Sequence, residues 1–361
     1  MKLGVSVVVC TFNGAKLLPA TINHIAKQQV RPDINWEVIV VDNASTDNSS
    51  NVAVTEWRKY QLPVSFTLLH QPKQGLTYAR ELAIKNARYE FILFCDDDNW
   101  LAPDYINIAY DLMLKHPSIG VLGGCGELEF EGAPPLWAVG LSSFASGPQA
   151  SASGKVKKNA VYGAGFVMRK SAFNTIAGAG YKPMLTDRLA KNLSAGGDYE
   201  LCYAIALAGY DIWYDNSLRF KHFMPENRVN WDYCTRLYRE GAQSLEVLIP
   251  YRIRVNMECS NVFLFNFKIL KTYLSQTRKL LPLLFRDMLL EPESDEKRVN
   301  TLRIIALKAS IMSLKNYPAM KSNFIKIIKF EQERLKPFLN TKAVAYADTK
   351  NLDRSTINYI Y

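Results

Sequence analysis

Residues 91–99, Phe-Ile-Leu-Phe-Cys-Asp-Asp-Asp-Asn, constrain the fold more than any other stretch. A short apolar run of this kind reads as a buried strand. It stops abruptly at three consecutive carboxylates, Asp96, Asp97 and Asp98. Adjacent acids repel one another, so a core strand ending in three of them needs a reason. One is a solvated turn, which Asp and Asn favour. The other is a cation: hard oxygen donors suit Mg2+ or Mn2+, which in turn bind phosphates. Open α/β sheets hold their ligands at the carboxyl ends of strands.

The rest of the first half repeats the pattern. Val5–Cys10, Glu37–Val41, Val64–His70 and Ile119–Leu122 also read as strands. Between them lie a helix carrying Leu17, Leu18, Ile22 and Ile25, and a second capped by Ser45 or Asp47 and running to about Tyr60. Gly75 opens a third and Pro103 a fourth. Strands alternating with helices predict an α/β fold, a mostly parallel sheet flanked by helices. Residues 131–160, rich in Gly, Ala, Ser and Pro, read as a long loop. Val161–Arg169 reads as a strand and Gly196-Gly197-Asp198 as a helix start. Ile212–Tyr214 and Leu218–Phe220 read as two short strands, with His222 just beyond.

The charge is unevenly placed. Residues 1–251 carry 24 basic and 24 acidic side chains, whereas residues 252–342 carry 18 and 8, so the net +10 lies in the second part. There, Leu and Phe interleave with Lys and Arg in helical segments, and Pro282 is expected to break or kink the first of them. The expected division is a catalytic domain over 1–250, a basic amphipathic helical appendage over 251–345 and a polar tail over 346–361. Basic amphipathic helices suit an anionic membrane surface, or else pack on the catalytic domain with their lysines in water. A nucleic-acid partner is not expected, because neither a binding motif nor an aromatic platform is evident. The start of the chain reads as a strand rather than a signal peptide. The longest apolar runs fall short of a membrane span. Six scattered cysteines read as reduced core thiols. These features lead to the expectation of a cytoplasmic protein, peripheral on the membrane at most.

Three polar clusters follow strands: Thr11-Phe12-Asn13, Asp42-Asn43 and Asp96-Asp97-Asp98. In a parallel sheet those ends share one edge and can converge on one ligand. Asp42 could accept from a base N–H, Asp96 from a ribose hydroxyl, and Asp98 could hold a metal that neutralises a diphosphate. No glycine-rich phosphate cradle follows the first strand, which argues against dehydrogenase and kinase readings.

The ordered stretches "SVVVCTFNGAKLL", "WEVIVVDNASTDNS", "QGLTYARELAIKNARYEFILFCDDDNWLAPDYI", "YGAGFVMRKSAF", "GGDYELCYAIALAGYDIWY" and "FKHFMP" resemble the family 2 glycosyltransferases. The resemblance covers roughly residues 4–245. It implies a type-A nucleotide-sugar fold, a divalent metal (Mn2+ or Mg2+), a nucleotide-diphosphate sugar donor, a glycan or lipid-linked acceptor, and inversion at the anomeric carbon. Position by position, it implies that Thr11, Asn13, Asp42, Arg80, Asp96 and Asp97 bind the donor. Asp98 and His222 would hold the metal, and Asp198 would be the general base. The family pairs that base with a preceding acid; here the preceding residue is Gly197, which leaves Glu200 as a rival base. On 3.6-residue geometry Asp198 faces the core side of its helix and Glu200 projects about 160° away. Trp137 and Tyr162 could stack on a sugar or pack internally. Two other readings stay open at this level: a metal-dependent nucleotidyltransferase, and a non-catalytic glycan- or nucleotide-binding protein.

Overall fold

A computed structural model describes residues 2–187, 193 and 195–341. Nine strands form one sheet among them: β1 (Lys2–Thr11), β2 (Trp36–Asp42), β3 (Ser65–His70), β4 (Tyr89–Phe94), β5 (Asn99–Leu101), β6 (Ile119–Phe130), β7 (Gly154–Lys155), β8 (Val167–Arg169) and β9 (Asp211–Met224). Their order is β3-β2-β1-β4-β8-β6-β9-β5, with β7 pairing against β9. β1 to β4 are parallel to one another, as are β6 and β9. β8 runs antiparallel between β4 and β6, and β5 is antiparallel to β9.

Burial on both faces explains the unbroken apolar runs. Val7, Val9, Val38, Val40, Phe91 and Leu93 face one core. It is covered by α1 (Leu18–Ala26), α2 (Ser49–Arg58) and α4 (Tyr105–Lys115). The alternate residues Val8, Ile39, Val41, Ile92 and Phe94 face the other. That core is covered by α3 (Leu76–Asn86), α5 (Lys170–Gly178) and α6 (Gly197–Leu207).

The structure departs from the sequence expectations in five places. Helix α2 starts at Ser49 after Asn48; Asp47 instead accepts from the Ser49 N–H at 3.0 Å and the Ala15 N–H at 3.1 Å, tying two loops together. β6 runs on to Phe130 through Gly123, Gly124 and Gly126. Those glycines permit close packing rather than ending the strand: a Cβ on residue 124 would stand 2.5 Å from the Tyr105 hydroxyl. The strand expected over Val161–Arg169 shrinks to Val167–Arg169, because Gly165 turns the chain at φ +67°. The two short strands near residue 216 are one strand, β9, which pairs along the β6 extension; His222 therefore lies inside it. Pro282 does not end its helix. It sits at an exposed position, where water can satisfy the carbonyl it leaves without a partner.

After the sheet come α7 (Trp231–Gly241), α8 (Leu245–Asn256), α9 (Val262–Leu289), α10 (Asp295–Lys315) and α11 (Tyr317–Lys329). They have a small core of their own, in which Phe265 and Phe324 stack 4.2 Å apart. They also join the sheet layer: Val247 and Tyr251 of α8 and Ile327 of α11 enter the second core. No described helix is long and apolar enough to cross a membrane. The polar tail expected over 346–361 lies outside the described residues.

Candidate active site

The carboxyl ends of β1, β2 and β4 open into a cavity of about 610 Å³, closed on its far side by the start of α6 and by α7 and α8. Most of the residues singled out in the sequence line it, each held by a short local network.

At the β1 end, the Thr11 hydroxyl donates to Asp97 Oδ2 at 2.6 Å. Asn13 adopts φ 55°, a left-handed conformation that Asn tolerates better than most residues. Its Oδ1 accepts from the Thr46 N–H at 2.8 Å, so it also braces the loop after β2. Asp42 is not among the lining residues. Its carboxylate accepts from the Ser45 N–H at 2.9 Å and from the Ser50 hydroxyl. Burial raises its pKa, but those hydrogen bonds outweigh it and the net shift is downward. The lining residue from this strand end is Asn43, whose side chain accepts from the Gly75 N–H at 2.8 Å and donates to the Lys73 carbonyl at 2.7 Å.

At the β4 end, Asp96, Asp97 and Asp98 all line the cavity. Burial and the charge of Asp98 push the Asp97 carboxyl upward, against the Thr11 hydroxyl. Asp98 is buried; its Oδ1 accepts from Asn99 Nδ2 at 2.9 Å and lies 3.6 Å from His222 Nε2. Its Oδ2 pairs with Arg228. His222 Nδ1 lies 2.6 Å from the Phe144 carbonyl, a contact that needs an Nδ1–H and turns Nε2 toward Asp98. Strand pairing sets this geometry. Asn99 of β5 is in register with His222 of β9, and the Phe223 N–H donates to the Asp98 carbonyl at 2.8 Å.

Among the described residues no cluster of three or more His, Cys, Asp or Glu side chains is arranged to hold a metal unaided. The Asp98–His222 pair still fits a divalent ion, because ions of this class commonly take one or two protein donors and complete their shell with water and substrate phosphate.

Across the cavity stands Asp198, in the first turn of α6. Its Oδ2 accepts from the Gly163 N–H at 2.5 Å and its Oδ1 from the Tyr199 N–H at 2.9 Å. Burial, then the neighbouring Asp187, push its pKa up to about 6; Arg80 and the two N–H donors resist. The helix terminus does not hold it at an ordinary carboxylate value, yet it stays ionised at neutral pH. Glu200 is fully buried, and its carboxylate accepts from the Met184 and Leu185 N–H groups at 2.8 Å each. It braces a loop and is absent from the cavity lining.

Arg80 projects from α3 beside the stacked rings of Phe94 and Phe166, 5.6 Å from each ring centroid. Burial opposes its charge, while Asp96, Asp187 and Asp198 hold its pKa above the ordinary value. Trp137 is buried against Trp231 and does not line the cavity. Tyr162 does, but its hydroxyl bridges the Gly126 N–H at 2.9 Å and the Gly147 carbonyl at 3.0 Å.

Sequence reasoning placed Asn43 in a polar cluster without giving it a role, and missed Asp187 and Arg228. Asn43 adjoins a residue that was chosen. Asp187 and Arg228 come from irregular segments without periodicity, and no sequence signal marks them.

Residues 6–176 match the family described as Glycosyl transferase family 2. The poly(ribitol-phosphate) beta-N-acetylglucosaminyltransferase TarS of Staphylococcus aureus is 34% identical over 113 residues, 31% of this chain and 19% of that protein. The UDP-Glc:alpha-D-GlcNAc-diphosphoundecaprenol beta-1,3-glucosyltransferase WfgD of Escherichia coli is 31% identical over 113 residues, 31% of this chain and 42% of that protein. The chain thus spans less than half the length of either relative. A mannosyltransferase from Pyrobaculum calidifontis, solved with GDP-Man and Mn2+, superposes with a TM-score of 0.54 at 17% identity, covering 86% of this chain and 88% of that one. That likeness concerns the fold. Residues 6–176 of the chain are thus similar to the family 2 glycosyltransferases.

Proposed function

We propose that this protein transfers a sugar from a nucleotide-diphosphate donor to a hydroxyl of a glycan or lipid-linked acceptor, with inversion, in the assembly of a polysaccharide or glycoconjugate. The observation that carries the proposal is the pairing of two chemistries in one cavity: Asp98 with His222 at the strand ends, and Asp198 on the opposing helix.

An inverting displacement needs one base. Asp198, lining the cavity with a pKa near 6, takes the proton of the acceptor hydroxyl as oxygen attacks the anomeric carbon. Its hydrogen bonds to Gly163 and Tyr199 fix the direction in which the carboxylate points. Asp98 and His222 would hold Mn2+ or Mg2+, which supplies charge neutralisation for the departing diphosphate. Thr11, Asn43 and Asp96 line the side nearest the strand ends, where a nucleoside fits. Arg80 and Arg228 add positive charge near the leaving group. WfgD takes its name from a lipid-diphosphate acceptor and TarS from a phosphopolymer. We therefore place the reaction at the cytoplasmic face of a membrane, with the enzyme peripheral to it.

The test is release of nucleoside diphosphate from a panel of UDP-, GDP- and dTDP-sugars with Mn2+ or Mg2+, scored with and without added acceptor. Turnover of one donor that is lost in Asp198→Asn supports the reading. No turnover of any donor, or an Asp198→Asn enzyme as fast as the parent, would sink it.

A further inference from the structure

Helix α9 presents a face that nothing in the described chain covers. Phe263, Phe267, Leu270, Leu274, Leu281 and Phe285 are all exposed, and the row ends at Met288, 83% exposed. At 100° per residue they fall within an arc of about 60° that runs for roughly 38 Å along the helix. The opposite side, with Phe265 and Ile269, packs into the helical core. An apolar row of this length on the surface, interrupted only between Leu274 and Leu281, is an interaction site rather than ordinary exposure.

The charges beside the stripe identify what it meets. All five basic residues of α9, Lys268, Lys271, Arg278, Lys279 and Arg286, lie on one flank, about 50° to 150° from the stripe centre. The one acid of α9, Asp287, turns away toward α10, where Lys297 and Asn300 hold it; at the end of the flank Arg286 pairs with Glu296 of α10, which leaves the other four cations to meet a partner. A second copy of the chain docked stripe to stripe, parallel or antiparallel, would offer this flank no acid from its own α9. An anionic lipid surface offers both an apolar layer for the stripe and phosphate for the flank.

We infer that α9 is a membrane-docking helix, lying in the plane of an anionic bilayer with the Phe263–Met288 stripe in the acyl boundary and the Lys271–Lys279 flank on lipid phosphates. The inference rests on the membrane placement proposed above and names the surface that makes it. No described helix is built to span a bilayer, so the contact is peripheral.

The experiment is co-sedimentation of the full chain, without donor or acceptor, with vesicles of phosphatidylglycerol and phosphatidylcholine in equal parts at low salt. Two triple variants accompany it, Phe267→Glu/Leu274→Glu/Phe285→Glu on the stripe and Lys271→Glu/Arg278→Glu/Lys279→Glu on the flank. All six side chains are exposed, and unchanged circular dichroism verifies the fold. Leu136→Glu, at an exposed apolar site remote in sequence, is the control. The expected result is binding by the parent and the control, weakened by salt, with loss in the stripe variant. Each Lys or Arg near an anionic surface strengthens binding about fivefold, so the flank variant should bind at least about a hundredfold more weakly.

A parent that stays in solution, variants that bind as it does, or equal binding to pure phosphatidylcholine would overturn the inference. So would a dimer in light scattering that the stripe variant splits while vesicles go unbound, since the stripe would then face a second copy. Sugar transfer is read separately. A chain that binds vesicles but turns over no donor upsets only the transferase reading, and an active enzyme that ignores vesicles upsets only this one.

Discussion

Asp187 and Gly197 share one volume. Asp187 Oδ1 accepts from the Gly197 N–H at 2.7 Å, and a Cβ on residue 197 would stand 2.3 Å from Asp187 Oδ2. The family resemblance leads one to expect an acid at position 197. In this chain the carboxylate arrives from a loop ten residues earlier, at a residue with φ 49°, and the glycine makes room for it. Asp187 Oδ2 also lies 3.8 Å from Arg80.

Asp187 should therefore set the working pH of the base. Its charge helps hold Asp198 at about 6, together with burial and against Arg80 and the two N–H donors; Lys158, Tyr199 and Cys202 are the other titratable groups beside it. As the proposed base, Asp198 must be ionised to act, so activity should fall as pH drops through its pKa. In Asp187→Asn the like charge is gone while an acceptor remains for Gly197. Ionisation becomes easier, and the acidic limb of the kcat profile should move to lower pH. An unmoved limb would leave Asp187 a purely structural cap.

The shared volume predicts coupling. Gly197→Ala should cost about 1–3 kcal/mol, as overpacking of a filled site does. In an Asp187→Gly background the same methyl meets no carboxylate, so its cost should nearly vanish. Thermal melts of the four proteins in the cycle measure this. Additive losses would show that the two residues do not compete.

The two acids of α6 should separate cleanly. Asp198→Asn should lower kcat by about 10²–10⁴-fold with donor affinity retained. Glu200→Gln replaces one of two acceptor oxygens with an NH2 group facing a backbone donor, which should destabilise the fold by about 1–3 kcal/mol. Its kcat should change less than that of Asp198→Asn. The reverse pattern, an inactive Glu200→Gln beside an active Asp198→Asn, would exchange their roles.

For Asp98, the expected loss is in cation-assisted binding. Asp98→Asn should abolish turnover and remove the Mn2+-dependent tightening of nucleoside-diphosphate binding in calorimetry. Arg228 pairs with the same carboxylate, so Arg228→Gln should strengthen Mn2+ binding in the absence of nucleotide. Mn2+-assisted binding unchanged in Asp98→Asn would move the cation elsewhere.

What could be read from the sequence follows from how local each cause is. Val38–Val41 and Phe91–Phe94 are visible as strands because both faces of the sheet are buried, which leaves no polar alternation to obscure them. Asp98 and Asp198 are visible because each sits at an element boundary. The extension of β6 through Gly123–Gly126 was not, since the glycines answer to residues distant in sequence: Gly123 to Val161, Gly124 to Tyr105 and Leu218, Gly126 to Phe220. Asp42 looked like a ligand residue, but two nearby serines claim its oxygens. Asp187 and Arg228 owe their positions entirely to tertiary contacts.

The pairing of Asn99 with His222 has a consequence for how this protein can change. Side chains alternate along a strand, so inserting or deleting one residue of β9 before His222 would turn the imidazole to the opposite face of the sheet. Asp98 would keep its place, and the ladder of hydrogen bonds could re-form one step along. The separation of Asp98 from His222 is thus counted in whole residues by the ladder, with no gradual path between one spacing and the next. The segments around Asn13, Asn43 and Asp187 carry no such count, so variation in what the cavity accepts has room there while the Asp98–His222 pair stays fixed.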